Sequence, residues 1–183
     1  LLADGVISRL DAEFTPLTGG VSSDIYRLED AGQVTVVKRA LPQLRVDATW
    51  FADIGRNRYE VAYLNRVRQI TPGNVPQVFF HNAEQGYFTM EHLGPEFRNW
   101  KTMLLAGHCE IGKARAAGAW LGRIHQATWD DTELRAEFDT TDNFHDLRLE
   151  PYLLATAERH PELRPALETE VERIHNSRQC LVH

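Results

Sequence analysis

Apolar and polar residues alternate along three short stretches near the start of the chain, at residues 14–17, 25–30 and 33–39. A period of two is typical of β-strands, because successive side chains point to opposite faces of a sheet. Gly19 and Gly20 separate the first two stretches, and Gly32 lies between the second and the third. The pattern predicts three sequential antiparallel strands. Pro16 places the first strand at an edge, because proline has no N–H to donate.

The apolar period becomes helical at residues 56–68. Val61, Leu64 and Val67 recur at spacings of three, and Glu60 lies beside them on the same stripe. Two further strand-like stretches follow as a predicted hairpin, at residues 78–81 and 87–91. We therefore predict a five-stranded antiparallel sheet within the first ninety residues, with one helix inserted after the third strand.

After Gly94 and Pro95 the pattern becomes helical, with predicted helices at residues 110–128, 151–160 and 162–176. The apolar stripe of the first is predicted to be Ile111, Ala114, Gly118, Leu121 and His125. The stripe of the last is predicted to be Leu163, Leu167, Val171 and Ile174. Pro151 is typical of a first helical turn. We expect an α+β chain with a sheet unit at residues 1–93 and a linker with a helical unit at residues 94–183.

Two charged residues lie on faces that the pattern predicts to be dry. Lys38 shares a strand face with Val34 and Val36, and Glu60 shares the apolar stripe of the predicted helix. A buried ammonium without a partner costs several kcal/mol, so Lys38 requires a nearby anion. That anion is a carboxylate, a ligand phosphate or both. The alternatives are a structural ion pair and a lysine whose stem is buried while its head reaches solvent.

The turn at residues 18–24, hereafter the glycine turn, has the composition of an anion-binding loop. Gly19 and Gly20 allow the backbone to approach an anion closely, and the hydroxyl groups of Ser22 and Ser23 add donors. An ordinary hairpin loop is the alternative. At the end of the last strand, free backbone groups of Glu91, His92 and Leu93 could bind a planar base, or the segment could be a plain linker.

Composition narrows the class of protein. A net charge of −6, from 20 basic and 26 acidic residues, argues against nucleic acid and anionic membranes as partners. Two cysteines without paired spacing favour a reducing, cytoplasmic compartment, and no apolar run reaches the roughly 18 residues of a membrane helix. The eight histidines form no zinc motif, so His125 and His145 are interpreted as structural. No nucleophile motif of a hydrolase occurs.

In this order the motifs resemble the aminoglycoside phosphotransferase and choline kinase family of protein-kinase-like small-molecule kinases. The matching pieces are residues 17–26, 36–38, Glu60, 90–93 and 121–125. Residues 38–45, followed by Trp50 and Glu60, are also similar to methylthioribose kinases of that group. The resemblance covers most of the chain, although each motif alone is loose. It implies a five-stranded N-lobe with one helix, followed by the first helices of a C-lobe.

The resemblance implies a role for each matching residue. Lys38 would hold the α- and β-phosphates of ATP, and Glu60 would orient Lys38. Gly19, Gly20, Ser22 and Ser23 would cover the phosphates, and Glu91, His92 and Leu93 would hold the adenine through backbone atoms. Ser23 stands where the family often has asparagine, and a serine keeps a donor there.

The family's catalytic loop, which supplies a catalytic aspartate and ligands for Mg²⁺, is expected to begin at His183, the last residue. We therefore expect no catalytic or metal-ligating residue within residues 1–183, and no turnover by this stretch alone. The expected function is ATP-dependent transfer of a phosphate to a hydroxyl of a small molecule such as an aminoglycoside or a sugar-like compound. The alternative is a nucleotide-binding or interaction module without catalysis. The sequence does not identify the substrate or the oligomeric state.

Overall fold

The computed structural model describes residues 1–17, 20–47, 49–177 and 179–182. Its sheet contains five antiparallel strands in the order β1-β2-β3-β5-β4. Their bounds are β1 Glu13–Pro16, β2 Ser23–Asp30, β3 Gln33–Ala40, β4 Val78–Asn82 and β5 Tyr87–Glu91. The predicted strands, their pairing and the edge position of the strand containing Pro16 are confirmed, and β3 lies at the centre.

One face of the sheet is covered by the inserted helix α1, Asn57–Ile70, which follows a 3-10 turn at Ile54–Arg56. Val61 and Leu64 of α1 pack against Phe88 of β5, which is fully buried. Val67 is buried on the same stripe, so the predicted apolar side of the helix is confirmed. Lys38 is the register partner of Phe88, which places Lys38 on this covered face.

The opposite face is covered by the N-terminal segment, which consists of turns. Leu28, Val37 and Tyr87 form a buried cluster there, against which Leu1, Val6, Ile7 and Ala12 pack. Two carboxylates attach the segment to the sheet. Asp4 accepts hydrogen bonds from the Tyr87 hydroxyl and from Asn82, and Asp30 accepts from the backbone N–H and the hydroxyl of Ser8.

The chain after β5 is helical, with more elements than the sequence predicted. The α-helices are α2 Trp100–Leu105, α3 Ile111–Ala127, α4 Thr132–Glu137, α5 Thr141–Phe144, α6 Ala155–Arg159 and α7 Arg164–His175. The short helices α2 and α4 were not predicted. Each is capped by a side chain, Asn99 and Asp131 respectively, that accepts a hydrogen bond from a backbone N–H of the first turn.

The prediction that Pro151 lies in a first helical turn is wrong. Pro151 lies inside a π-helix, His145–Leu154, that continues from α5 into α6. Within an α-helix a proline loses one hydrogen bond and clashes with the preceding turn. The wider π turn accommodates the ring, so the helical path continues on both sides of it.

The predicted apolar stripe of α3 is also wrong. Ile111 is 81% exposed and Leu121 is 39% exposed, whereas Ile124 is 1% exposed. Ile124 packs with Tyr63 and Val67 of α1 and with Leu181 in one buried cluster. Because α3 is rich in alanine, apolar residues occur on several of its sides, and contact with α1 selects the buried one. On α7, Val171 is buried as predicted, but Leu163 is exposed and precedes the helix.

Across the described ranges, none of the helices has both the length and the apolar character needed to cross a membrane.

Candidate functional site

Lys38 of β3 and Glu60 of α1 form the predicted ion pair. Lys38 Nζ donates to Glu60 Oε1 at 2.5 Å, and the two side chains are 20% and 29% exposed. Val36, two residues earlier on the same face, is buried, and Phe88 lies opposite Lys38. The pair therefore lies at the edge of an apolar surface, where a charge-assisted hydrogen bond is stronger than in water.

Packing of α1 explains why the carboxylate reaches the lysine. Val61 and Leu64 hold α1 against the sheet through Phe88. Glu60 lies one turn before Leu64 on the same stripe, so its side chain leaves the helix toward the sheet. The apolar contacts thus fix the direction of the ion pair, and the glutamate in turn fixes the lysine head.

The described part of the glycine turn lies at the same end of the sheet as Lys38. Ser23 opens β2, is buried and is the register partner of Ala40, two residues beyond Lys38. Since directly paired residues share a face, Ser23 and Lys38 lie on the same side of the sheet. A Cβ on Gly20 would lie 3.3 Å from the Ser23 carbonyl oxygen, so the backbone folds back closely there. Gly19 lies outside the described residues, as does His183.

The segment expected to bind the base lies at the other end of β5. Glu91 pairs with Thr35, three residues along β3 from Lys38. The Glu91 N–H donates to the Gln77 carbonyl at 2.8 Å and is therefore already used. The N–H groups of His92 and Leu93 form no hydrogen bond to another residue of the described ranges, and Leu93 is exposed. Of the three predicted residues, His92 and Leu93 retain free donors.

Arg56 is a site residue that the sequence reasoning missed. Its guanidinium donates to four carbonyl oxygens: Ser22 at 2.6 Å, Asp53 at 2.7 Å, Leu41 at 2.9 Å and Ala52 at 3.2 Å. Burial lowers the pKa of Arg56 below its ordinary value, while the carboxylates of Asp53 and Glu60 act in the opposite direction. The sequence contained one signal for Arg56. A cation at a helix N-terminus interacts unfavourably with the helix dipole, so an arginine there is expected to have compensating partners.

A separate group of potential metal ligands occurs in the helical region. The ligand atoms of His145, Asp146 and Glu150 lie within 4.8 Å of one another, and both acidic residues are exposed. His145 Nδ1 also lies 3.3 Å from His175 Nε2. Exposed acidic groups are common without an ion, so we assign this cluster no role.

Two open cavities occur among the described residues, and neither is lined by Lys38 or Glu60. One, of about 350 Å³, lies beside α1 and is lined by Arg58, Val61, Ala62, Asn65, Arg66, Gln69, His81 and Glu137. The other, of about 320 Å³, lies beside the π-helix and includes Asp146 and Glu150. Neither is lined by a residue of the predicted site, which is defined by its hydrogen bonds and its backbone geometry instead.

A comparison with protein-family models found no match to this chain, and a comparison with curated proteins found none either. The function is therefore argued from the geometry of the site.

Proposed function

We propose that this chain contributes the nucleotide-binding lobe of an ATP-dependent phosphotransferase that acts on a hydroxyl group of a small molecule. The observation that carries the proposal is the hydrogen bond between Lys38 and Glu60 on the covered face of the sheet. The half-buried ammonium is directed by its carboxylate partner, and a lysine head has three N–H donors. One donor is used by Glu60, which leaves two for phosphate oxygens.

The glycine turn supports the same proposal. Ser23 and Lys38 share a face and lie near the same end of the sheet, so an anion beside Lys38 would also meet the turn. Backbone N–H groups and serine hydroxyls suit phosphate oxygens, because they are donors that carry no competing negative charge. Gly20 contributes by its close approach to Ser23. In this arrangement the turn would cover the phosphates that Lys38 holds.

Free donors at the end of β5 suit the base of the same ligand. The N–H groups of His92 and Leu93 would hydrogen-bond a planar ring, while Glu91 closes the strand against Gln77. Thr35, the partner of Glu91, lies three positions from Lys38 along β3. In a strand, three positions correspond to roughly 10 Å between Cα atoms. Base and phosphates would therefore contact groups near opposite ends of the β3–β5 pair.

Mg²⁺ would neutralise phosphate charge during transfer. We assign no metal ligand at this site, because the resemblance implies that the ligands for Mg²⁺ belong to the catalytic loop expected from His183 onward. The Lys38–Glu60 pair suits a second candidate function equally, a nucleotide-binding module without catalysis. The two candidates differ in turnover and share the binding of ATP.

Replacement of Lys38 by methionine tests the proposal. Lys38→Met removes the charge but keeps most of the apolar stem, so ATP affinity should fall at least about tenfold. Adenosine lacks phosphates, and its affinity should change by less than about threefold. Titration calorimetry with ATP, with and without Mg²⁺, and with adenosine measures both effects.

Lys113→Met is the matched control. Lys113 also pairs with a glutamate, Glu110, at 2.6 Å, but on the exposed surface of the helical region, so ATP affinity should not change. An unmodified chain that binds no ATP at millimolar concentration, or a Lys38→Met variant that binds it normally, would refute the proposal. Phosphate transfer to a panel of small alcohols, aminoglycosides and sugars separates the enzyme from the binding module.

A further inference from the structure

Arg56 connects three segments that the sequence separates widely. Its Nη2 donates to the carbonyl oxygens of Ser22 in the glycine turn and of Leu41 after β3. Its Nη1 donates to the carbonyl oxygens of Ala52 and Asp53, just before α1. These acceptors lie up to 34 residues from Arg56 in sequence.

The position of the charged Arg56 guanidinium is unfavourable in free energy for two reasons. A half-buried guanidinium loses hydration, and a cation at the start of a helix faces the positive end of the helix dipole. Within the described residues, none of the hydrogen bonds of its guanidinium goes to a carboxylate, so the direct compensation comes from the four carbonyl oxygens. Arg56 therefore serves to hold backbone segments in place rather than to neutralise a charge.

The 3-10 turn Ile54–Arg56 and the first turn of α1 form one continuous helical unit, which contacts both the glycine turn and Lys38. Arg56 ends the 3-10 turn that leads into α1, and Glu60 lies four residues later in the first turn of α1. The unit therefore presents Arg56 to Ser22 and Glu60 to Lys38 at the same time. Because a helix is stiff over one turn, the distance between the glycine turn and the ion pair is set by this unit.

Arg56 also sets the direction of one peptide group in the turn. The Ser22 carbonyl accepts from Arg56 and, at 3.0 Å, from the Leu41 N–H. In a trans peptide the N–H points opposite to the C=O, and the described residues contain no cis bond. The N–H of Ser23 is therefore directed away from Leu41 and Arg56. A phosphate covered by the glycine turn would meet this donor.

We propose that Arg56 is a positioning residue for phosphate binding, which fixes Ser22 and the Ser23 N–H relative to the Lys38–Glu60 pair. This inference rests on the function proposed above. Arg56 acts through Ser22 and Glu60, so it need not touch the nucleotide.

The test compares Arg56→Lys with Arg58→Lys. Lysine keeps the charge but lacks the planar fork that reaches several carbonyls at once. Arg58 is exposed two residues further on, and its contact is with Tyr59. We expect Arg56→Lys to weaken ATP binding at least about fivefold more than adenosine binding, and Arg58→Lys to leave the ratio unchanged. Amide hydrogen exchange at residues 20–25 should accelerate about tenfold or more in Arg56→Lys alone.

The outcomes separate this inference from the proposed function. If Arg56→Lys weakens ATP and adenosine binding equally, or leaves exchange at residues 20–25 unchanged, Arg56 has no positioning role. If the unmodified chain binds no ATP, or if Lys38→Met leaves ATP binding unchanged, the proposed function itself is refuted. Thermal unfolding of each variant shows whether a general loss of stability accounts for the change.

Discussion

At the scale of single residues, three charged groups around α1 and the sheet have defined hydrogen-bond partners. Lys38 has Glu60, Arg56 has four carbonyl oxygens, and Asp30 has two donors from Ser8. Half-buried charges without such partners would destabilise the fold by several kcal/mol. The face that binds α1 and the face that binds the N-terminal segment are thus both fixed by polar contacts at their borders.

The carboxylates that hold the N-terminal segment predict how stability depends on pH. Hydrogen bonds from Ser8 lower the pKa of Asp30 below its ordinary value of 3.8, and the bond from Tyr87 lowers the pKa of Asp4. A lowered pKa in the folded state contributes stability above the unfolded value, which is lost as pH falls through the folded value. The melting temperature should therefore drop steeply below about pH 4.

Replacement of Asp30 by asparagine should flatten that drop, because the titrating group is gone. Asp47→Asn, at an exposed position, is the control and should keep the slope of the unmodified chain. Circular dichroism melts between pH 2 and pH 7 measure both. Equal slopes for Asp30→Asn and the unmodified chain would contradict the role given to Ser8.

The charged pair at the site was predictable and the arginine was not. Alternation along β3 and the helical stripe of α1 are local patterns, and each places a charge on a dry face, so Lys38 and Glu60 could be matched from sequence. The acceptors of Arg56 lie in three segments whose approach is a property of the folded backbone. Periodicity contains no information about such contacts.

At the scale of elements, the turn between β4 and β5 packs closely against the 3-10 turn that precedes α1. Gly86 has a φ of +64°, and a Cβ there would lie 3.2 Å from the Cβ of Ile54. The Gly86 carbonyl accepts from the Ala40 N–H at 2.9 Å, so the same residue also closes the end of β3. The hairpin turn, β3 and the approach to α1 thus meet at one glycine.

Gly86→Ala should destabilise the protein by about 2–3 kcal/mol, from left-handed strain of about 1 kcal/mol plus the displacement of Ile54. Gly73→Ala separates the two causes. Gly73 has a φ of +80° but no atom within 4 Å of the added carbon, so it should cost about 1 kcal/mol. Urea denaturation gives both free energies. Equal losses would show that contact with Ile54 does not constrain the turn.

The helices show where sequence patterns stop being informative. Val61, Leu64 and Val67 recur on one side of α1, and that buried side was predicted from them, whereas Tyr63 adds a contact with α3. α3 has alanine and glycine on several sides, so its sequence does not identify the buried side. The contact with α1 determines that side. The π-helix around Pro151 could not be predicted either, because its turns depend on how the whole segment from α5 to α6 continues.

At the scale of the whole molecule, one cluster connects α1, which covers the sheet, to the helical region that follows β5. Ile124 of α3 packs with Tyr63 and Val67 of α1 and with Leu181 near the C-terminal end of the described residues. Trp120 Nε1 adds a hydrogen bond to Thr71 Oγ1 at 2.9 Å, where α1 ends. The helix that presents Glu60 to the sheet therefore also anchors α3.

Ile124→Ala should destabilise the molecule by about 2–4 kcal/mol, because it leaves a cavity in that cluster. Ile111→Ala makes the same chemical change on the same helix at an exposed position, and we expect less than about 0.5 kcal/mol. Urea unfolding followed by tryptophan fluorescence measures both. A larger effect at Ile111 would restore the stripe predicted from the sequence.

The two outer strands of the sheet affect how the protein behaves when it is concentrated. β1 ends in Pro16, and pairing between β4 and β5 shifts register between Val78 and Phe80. Fibrils grow when an open edge offers an unbroken row of donors and acceptors to the next chain. Neither edge offers one here, whereas Leu105, Ile111 and Trp129 are exposed in the helical region. Self-association at high concentration should therefore occur through helix surfaces and lack cross-β order.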